Sequence, residues 1–262
     1  MAGNNARAIV VQERDRHLFR ELSIMRVIDR EQAKTVAKFG STTRANARLL
    51  ALTNAKLLKR FFVGTLAGGK KAIYALSEKS AELVGVVARG PRRKQDQALV
   101  ADFFVEHQLA INDLYCRLKY GVLPPAVSFN RWIAFHEPVA SGLRLIPDGY
   151  VELTTTAGMV ACFLEVDLGH ESQKVWTEKT RNYLQFALSG DYERQFRQSR
   201  FRVLVLANSD RRLHSIRATV SRVTEKIFWF APLHAIPCDG FFGPVWHRPK
   251  TNQPQPFFGE AP

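Results

Sequence analysis

Three acids and two partners on a nearby helix carry the chemistry in this chain. In residues 147–167, PDGYVELTTTAGMVACFLEVD, an apolar run ends in Glu-Val-Asp, and a Pro-Asp pair lies one short loop upstream. Side chains alternate across a strand, so Glu165 and Asp167 share one face. Asp148 lies on the neighbouring segment, held close by the hairpin. Three acids on one face repel unless water, a basic group or a cation stands among them. Magnesium and manganese suit such a site, because Mg²⁺ takes one or two protein carboxylates and keeps several waters. Asp148, Glu165 and Asp167 are the candidate metal ligands, with the Val166 carbonyl beside them. Lys179 and Tyr183, at i and i+4, share one face of the following helix. Together the five residues form a candidate catalytic set, in which Lys179 assists an attacking water and Tyr183 orients phosphate or Lys179. The same residues have a plainer reading. Asp148 in Pro-Asp-Gly is also a turn residue, and Asp167 before Leu-Gly could cap a helix.

The charge distribution points to a polyanion. The net charge is +14. Residues 1–95 hold 20 Lys and Arg against 7 Asp and Glu, a net +13, while 96–262 hold 18 against 17, a net +1. A compact basic region attracts nucleic acid and releases counterions on binding. Apolar residues are 46% and charged residues 24%, an ordinary globular balance. No run of about 18 apolar residues suggests a membrane span, and MAGNNARAIVVQERDRH has no apolar core of a signal peptide. Three scattered cysteines fit a reduced cytoplasmic compartment. The histidines form no H-x-x-x-H or Cys/His cluster, phosphate-loop and dinucleotide glycine patterns are absent, and there is no G-x-S-x-G elbow.

The elements that must position these groups fall into two sets. Residues 12–28 place Leu18, Leu22, Met25 and Ile28 at helical spacing. Asp29 with Gln32 predicts a capped short helix to about Phe39, and Ser41 or Thr42 opens a third helix that ends at a left-handed Asn54. Two strand-like runs, KRFFVGT and KKAIYALS, follow around LAGG. Helix, helix, turn, helix and hairpin is the order of a winged helix-turn-helix. Its third helix enters a major groove by its N-terminal half, so Thr42, Thr43, Arg44, Asn46 and Arg48 are candidate DNA contacts, and Lys70 and Lys71 at the hairpin candidate phosphate contacts. A winged helix used only for protein contacts is the alternative. Residues 89–97 read as a linker between a domain at 1–88 and another at 98–236.

The second domain reads as a helix from Ala98 to Lys119, strands at 126–135, 144–153 and 159–167, a helix near 172–188, a strand at 202–208, a helix at 210–226 and a last strand, KIFWFAPL. That order implies a mixed sheet covered by helices, hence an α/β class for the pair of domains. Residues 237–262, rich in Pro, Gly and aromatics, read as a tail that packs on the surface or stays disordered.

The element order, with Pro-Asp on the second strand and Glu-x-acid ending the third, resembles the PD-(D/E)XK nuclease superfamily, a restriction-endonuclease-like fold. Where that pattern carries Lys two positions after the acid, this chain has Asp167. Some members place the lysine on the next helix, where Lys179 stands, and K-x-x-x-Y at 179–183 resembles the Q-x-x-x-Y motif of one branch. The whole arrangement is similar to the replication-relaxation family of plasmids and other mobile elements. The resemblance rests on ARLLALTNAKLLKR, HQLAINDLYCRL, LIPDGYVEL, FLEVDLGHES and KTRNYLQF, in that order. It implies a protein that binds double-stranded DNA and acts in replication control, mobilisation or regulation, with replication or mobilisation proteins as partners. A homodimer is common for such folds, although no heptad or dimer face is visible. The nuclease-like domain is then one of reduced or lost activity. The alternative is an Mg- or Mn-dependent DNA endonuclease.

Overall fold

Caps written into the sequence set the first helices. The computed structural model describes residues 9–64, 68–91, 98–99 and 103–258, and the chain divides at Val122/Leu123 into two compact units. In the first unit α1 (Glu13–Met25) starts from a Gln12/Asp15 capping box and buries Leu18, Phe19, Leu22 and Met25. After β1 (Ile28–Asp29), the Asp29 side chain accepts from the Gln32 amide, and Gln32 reaches back, opening α2 (Arg30–Val36). Ser41 caps α3 (Thr42–Asn54), whose Ala45, Leu49 and Leu52 face inward. Asn54 is the last helical residue, and the left-handed position falls instead at Lys56, with φ 61°. The hairpin of β2 (Leu58–Gly64) and β3 (Lys70–Leu76) runs in antiparallel register from Leu58↔Leu76 to Gly64↔Lys70. α4 (Glu78–Val84), capped by Ser77, was not foreseen. With β4 (Ala98–Leu99) the sheet order is β1-β3-β2-β4, and β4 runs parallel to β2. Half of the expected LAGG turn and most of the 89–97 linker lie outside the described residues.

The long helix expected to open the second domain belongs to the first unit. It is α5 (Phe103–Tyr120). Asn112 donates to the Met25 and Val27 carbonyls at 3.1 and 2.6 Å, and Gln32 donates to the Leu109 carbonyl at 2.9 Å. The buried Glu21 accepts from Tyr115 and is 2.8 Å from Lys119. The sequence predicts the helix, but helical periodicity does not say which core receives its buried face.

The second unit is built on one five-stranded sheet, order β5-β6-β7-β8-β9: β5 (Ser128–Ile133), β6 (Gly149–Thr155), β7 (Gly158–Asp167), β8 (Arg202–Ala207) and β9 (Phe228–Pro232). The first three are antiparallel, and β7, β8 and β9 are parallel. Parallel neighbours need crossovers. These are α6 (Gln173–Leu188) with the short α7 (Asp191–Phe196), then α8 (Asp210–Ser221). Mixed α/β architecture is therefore as expected. β6 starts five residues later than the sequence suggested, so Asp148 precedes the strand. At Gly149 an added Cβ would lie 2.7 Å from the Trp132 ring, so glycine is what lets the backbone pass close against that ring. The core is aromatic: Phe163 has Tyr150 and Phe201 at 4.9 Å, with Tyr183, Phe186, Tyr192 and Phe196 around it.

The described part of the tail, to residue 258, is packed. After α9 (Ala235–Asp239), His247 bridges antiparallel to Phe230 of β9, and Phe241, Trp246 and Phe257 are buried. The Arg202 guanidinium lies over Trp229 at 4.4 Å and Phe257 at 4.9 Å and donates to the Phe257 carbonyl. Scattered aromatics anchor a segment that has no period to read.

Candidate functional site

The acids lie on one face of the sheet. Alternation along β7 sends Phe163, Glu165 and Asp167 to the side that α6 covers. Along α6, Trp176, Lys179 and Tyr183 fall within two turns and meet those acids. The Glu165 Oε2 is 2.8 Å from the Lys179 Nζ, and its Oε1 accepts from the Tyr183 hydroxyl at 2.6 Å. Lys179 Nζ is also 2.7 Å from the Glu171 Oε1. Asp148 Oδ2 accepts from the Val166 amide at 2.7 Å, and the Asp148 amide donates to the Leu164 carbonyl, which fastens the segment to β7 beside Glu165.

Burial and charge act in opposition here. Glu165 is 1% exposed, and burial pushes its carboxyl above the usual carboxylate range, with Asp148 adding to the push and Lys179 and Tyr183 opposing it. Burial alone would lower the Lys179 pKa, yet Glu165, Asp148 and Glu171 outweigh it and hold the ammonium protonated. Burial followed by the Glu165 charge drives the Tyr183 phenol well above its ordinary value, so it stays a neutral donor.

Asp167 is not part of that group. Its carboxylate receives a fork from Arg212 of α8, Nε at 2.8 Å and Nη2 at 2.6 Å. Trp176 Nε1 donates at 2.8 Å and the Gly169 amide at 2.6 Å. Burial works to raise its pKa, but Arg212, Trp176 and Gly169 together bring it below the usual range. The expectation that Asp148, Glu165 and Asp167 hold one metal is therefore corrected. Mg²⁺ needs carboxylate oxygens it can reach, whereas both oxygens of Asp167 and both of Glu165 already accept hydrogen bonds. Among the described residues no three His, Cys, Asp or Glu side chains gather as a metal-binding group.

A further acid escaped the sequence reading. Glu152 of β6 is 3% exposed. It accepts from Arg131 Nε at 3.1 Å and from the Tyr150 hydroxyl at 2.8 Å, and pairs with the Arg131 Nη2 as well. Arg131 stands opposite Glu152 in the β5–β6 register, so opposite charges on facing strands were the available signal. Arg212 gave no local signal, lying 45 residues from Asp167.

In the first unit, Thr43, Arg44 and Asn46 of α3 are exposed, and Thr42 is half-buried. Arg48 is a correction. Its guanidinium turns inward to the fully buried Asp15, Nε at 3.0 Å from Oδ1, and donates to the Val10 carbonyl at 2.7 Å. A buried carboxylate demands a cation, and Arg48 supplies it instead of a surface contact. Lys70 is exposed, whereas Lys71 pairs with Asp29, the cap of α2. In the 191–202 segment Arg194 pairs with Asp191, and Arg202 is sequestered beneath the tail.

The family profile described as Replication-relaxation matches residues 19–198, over two thirds of the chain and parts of both units. No curated protein and no solved structure matches the chain. No helix among the described residues is long and apolar enough to cross a membrane.

Proposed function

The chain belongs to the replication-relaxation family, and from that membership we propose that it is a duplex DNA-binding protein of a plasmid or other mobile element. Its role is in replication control, mobilisation or regulation. The first unit acts as a winged helix with α5 added. One observation carries the reading: a capped helix exposes Thr43, Arg44 and Asn46 within a segment of net charge +13. Arg suits the guanine edge and Asn the adenine edge as bidentate readers. Lys70, at the start of β3, suits a phosphate. The second unit is a nuclease-like frame whose acids serve folding and positioning, because each buried acid of the sheet face has a basic partner. Cytoplasmic location and replication or mobilisation proteins as partners go with this reading.

Fluorescence anisotropy with labelled duplexes tests it. Binding should weaken steeply as salt rises, with log K falling about 0.9 per log unit of salt for each phosphate contacted. A selection from random duplexes should return a preferred site. Salt-insensitive or absent binding would sink the reading. Plasmid cutting that requires Mg²⁺ or Mn²⁺ and disappears in Glu165→Ala would replace it with the endonuclease reading, for which the closeness of Lys179 to Glu165 speaks.

A further inference from the structure

A nuclease-like frame calls for a divalent cation at its carboxylates, and these carboxylates do not fit one as they stand. We propose that the Lys179 ammonium is the resident cation of this site, a permanent covalent substitute that makes the second unit independent of metal. The inference rests on the nuclease-like reading of that unit given above.

Three observations converge. Lys179 Nζ bridges two carboxylates, 2.8 Å from Glu165 Oε2 and 2.7 Å from Glu171 Oε1. Two acids around one positive centre is an arrangement that a divalent ion would otherwise have to neutralise. Next, Tyr183 donates to the other oxygen of Glu165 at 2.6 Å, so both carboxylate oxygens are engaged without any metal. Finally, the other acid of the strand end, Asp167, is drawn off by Arg212 and Trp176 and cannot complete a coordination set. The Lys179 Nζ also lies 5.2 Å from the centre of the buried Trp176 ring, which holds the side chain on its second flank.

The consequence is specific. A wild-type chain has no place for Mg²⁺ or Mn²⁺ at this site, because a cation would have to expel a tethered one. Removing the ammonium while keeping the stem should leave Glu165 and Glu171 facing each other without a counter-charge. A divalent ion would then bind the folded state and stabilise it.

The experiment is thermal unfolding of the full-length chain, wild type, Lys179→Met and Lys179→Arg, each in EDTA and in millimolar Mn²⁺. For the wild type and Lys179→Arg we expect the same Tm in both. For Lys179→Met we expect a lower Tm in EDTA and recovery by roughly 3–6 °C in Mn²⁺, abolished when Glu165→Gln is added. A wild-type Tm that falls in EDTA or rises in Mn²⁺ overturns the proposal, as does a Lys179→Met variant indifferent to Mn²⁺. Should Lys179→Met fail to fold in EDTA, refolding in Mn²⁺ must recover soluble protein, and no recovery also overturns it. DNA binding measured on the same samples separates the two readings. Loss of DNA binding with the Mn²⁺ pattern intact sinks only the DNA-binding role, and the reverse sinks only the resident cation.

Discussion

Asp167 shows how one side chain can be read correctly for its face and wrongly for its partner. Strand alternation placed it with Glu165, and it does lie on that face. Nothing local marks Arg212, because a fork from another helix is a tertiary event. The pair has a pH signature. The Asp167 carboxyl is held below its ordinary value of about 3.9, so it contributes stability above that pH and loses it as pH falls through the folded value. Asp167→Asn leaves the Arg212 guanidinium, whose side chain is only 17% exposed, without its charge partner. We expect a loss of about 3 kcal/mol near neutral pH, by urea unfolding. That deficit should start to shrink below about pH 4, where the carboxyl of the unfolded chain takes up its proton, and disappear as pH falls through the lower folded value. A deficit unchanged between neutral and acid solution would mean that Arg212 contributes through packing and not through charge.

Helix starts were the most legible elements, because a cap is a local contract between two side chains and a few amides. Asp29 with Gln32 and Ser41 both open helices where the sequence put them. The facing of Lys179 and Tyr183 was legible for the same reason, being a matter of helical pitch. The start of β6 was not, since Asp148 fastens to β7 through its amide on Leu164 and its carboxylate on the Val166 amide, outside the ladder, and leaves no alternating pattern. On α3 the distinction between exposed and inward residues makes a graded prediction. Arg44→Ala and Asn46→Ala should each cost about 1–3 kcal/mol of discrimination at one base pair. Lys70→Ala should weaken all sequences alike and reduce the salt slope by about one. Arg48→Ala should act first on folding: it strands the buried Asp15 and lowers the Tm before any DNA is added. Melting curves of the four variants, followed by anisotropy on the preferred and a scrambled duplex, separate these effects. An Arg48→Ala variant with wild-type melting and poor base discrimination would return that residue to the reading face.

The division of the whole molecule hangs on α5. A linker of basic and Gly-Pro residues looked like the boundary, yet the helix beyond it supplies the partners of Glu21, Gln32 and the Met25 and Val27 carbonyls. Sequence pattern registers composition, whereas a domain edge is set by which core a stripe joins. A fragment of residues 1–122 should therefore give a cooperative melt and dispersed amide resonances. One ending at residue 97 should not, because Glu21 would be left buried without Tyr115 and Lys119. Cooperative folding of the shorter fragment would show α5 to be an accessory.

The three buried acids of the second sheet also meet their partners on different schedules as the chain is made. Arg131 precedes Glu152 by 21 residues, so that cation is already present when its acid appears. Lys179 follows Glu165 by 14 residues and Arg212 follows Asp167 by 45. At roughly 10 residues per second, Asp167 leaves the ribosome several seconds before the guanidinium that makes its burial tolerable. Until α8 emerges, water is the better solvent for the end of β7. The ribosome thus delivers the hairpin of β6 and β7 early and its neutralising helix late, and the sheet can close only when residue 212 has cleared the exit tunnel.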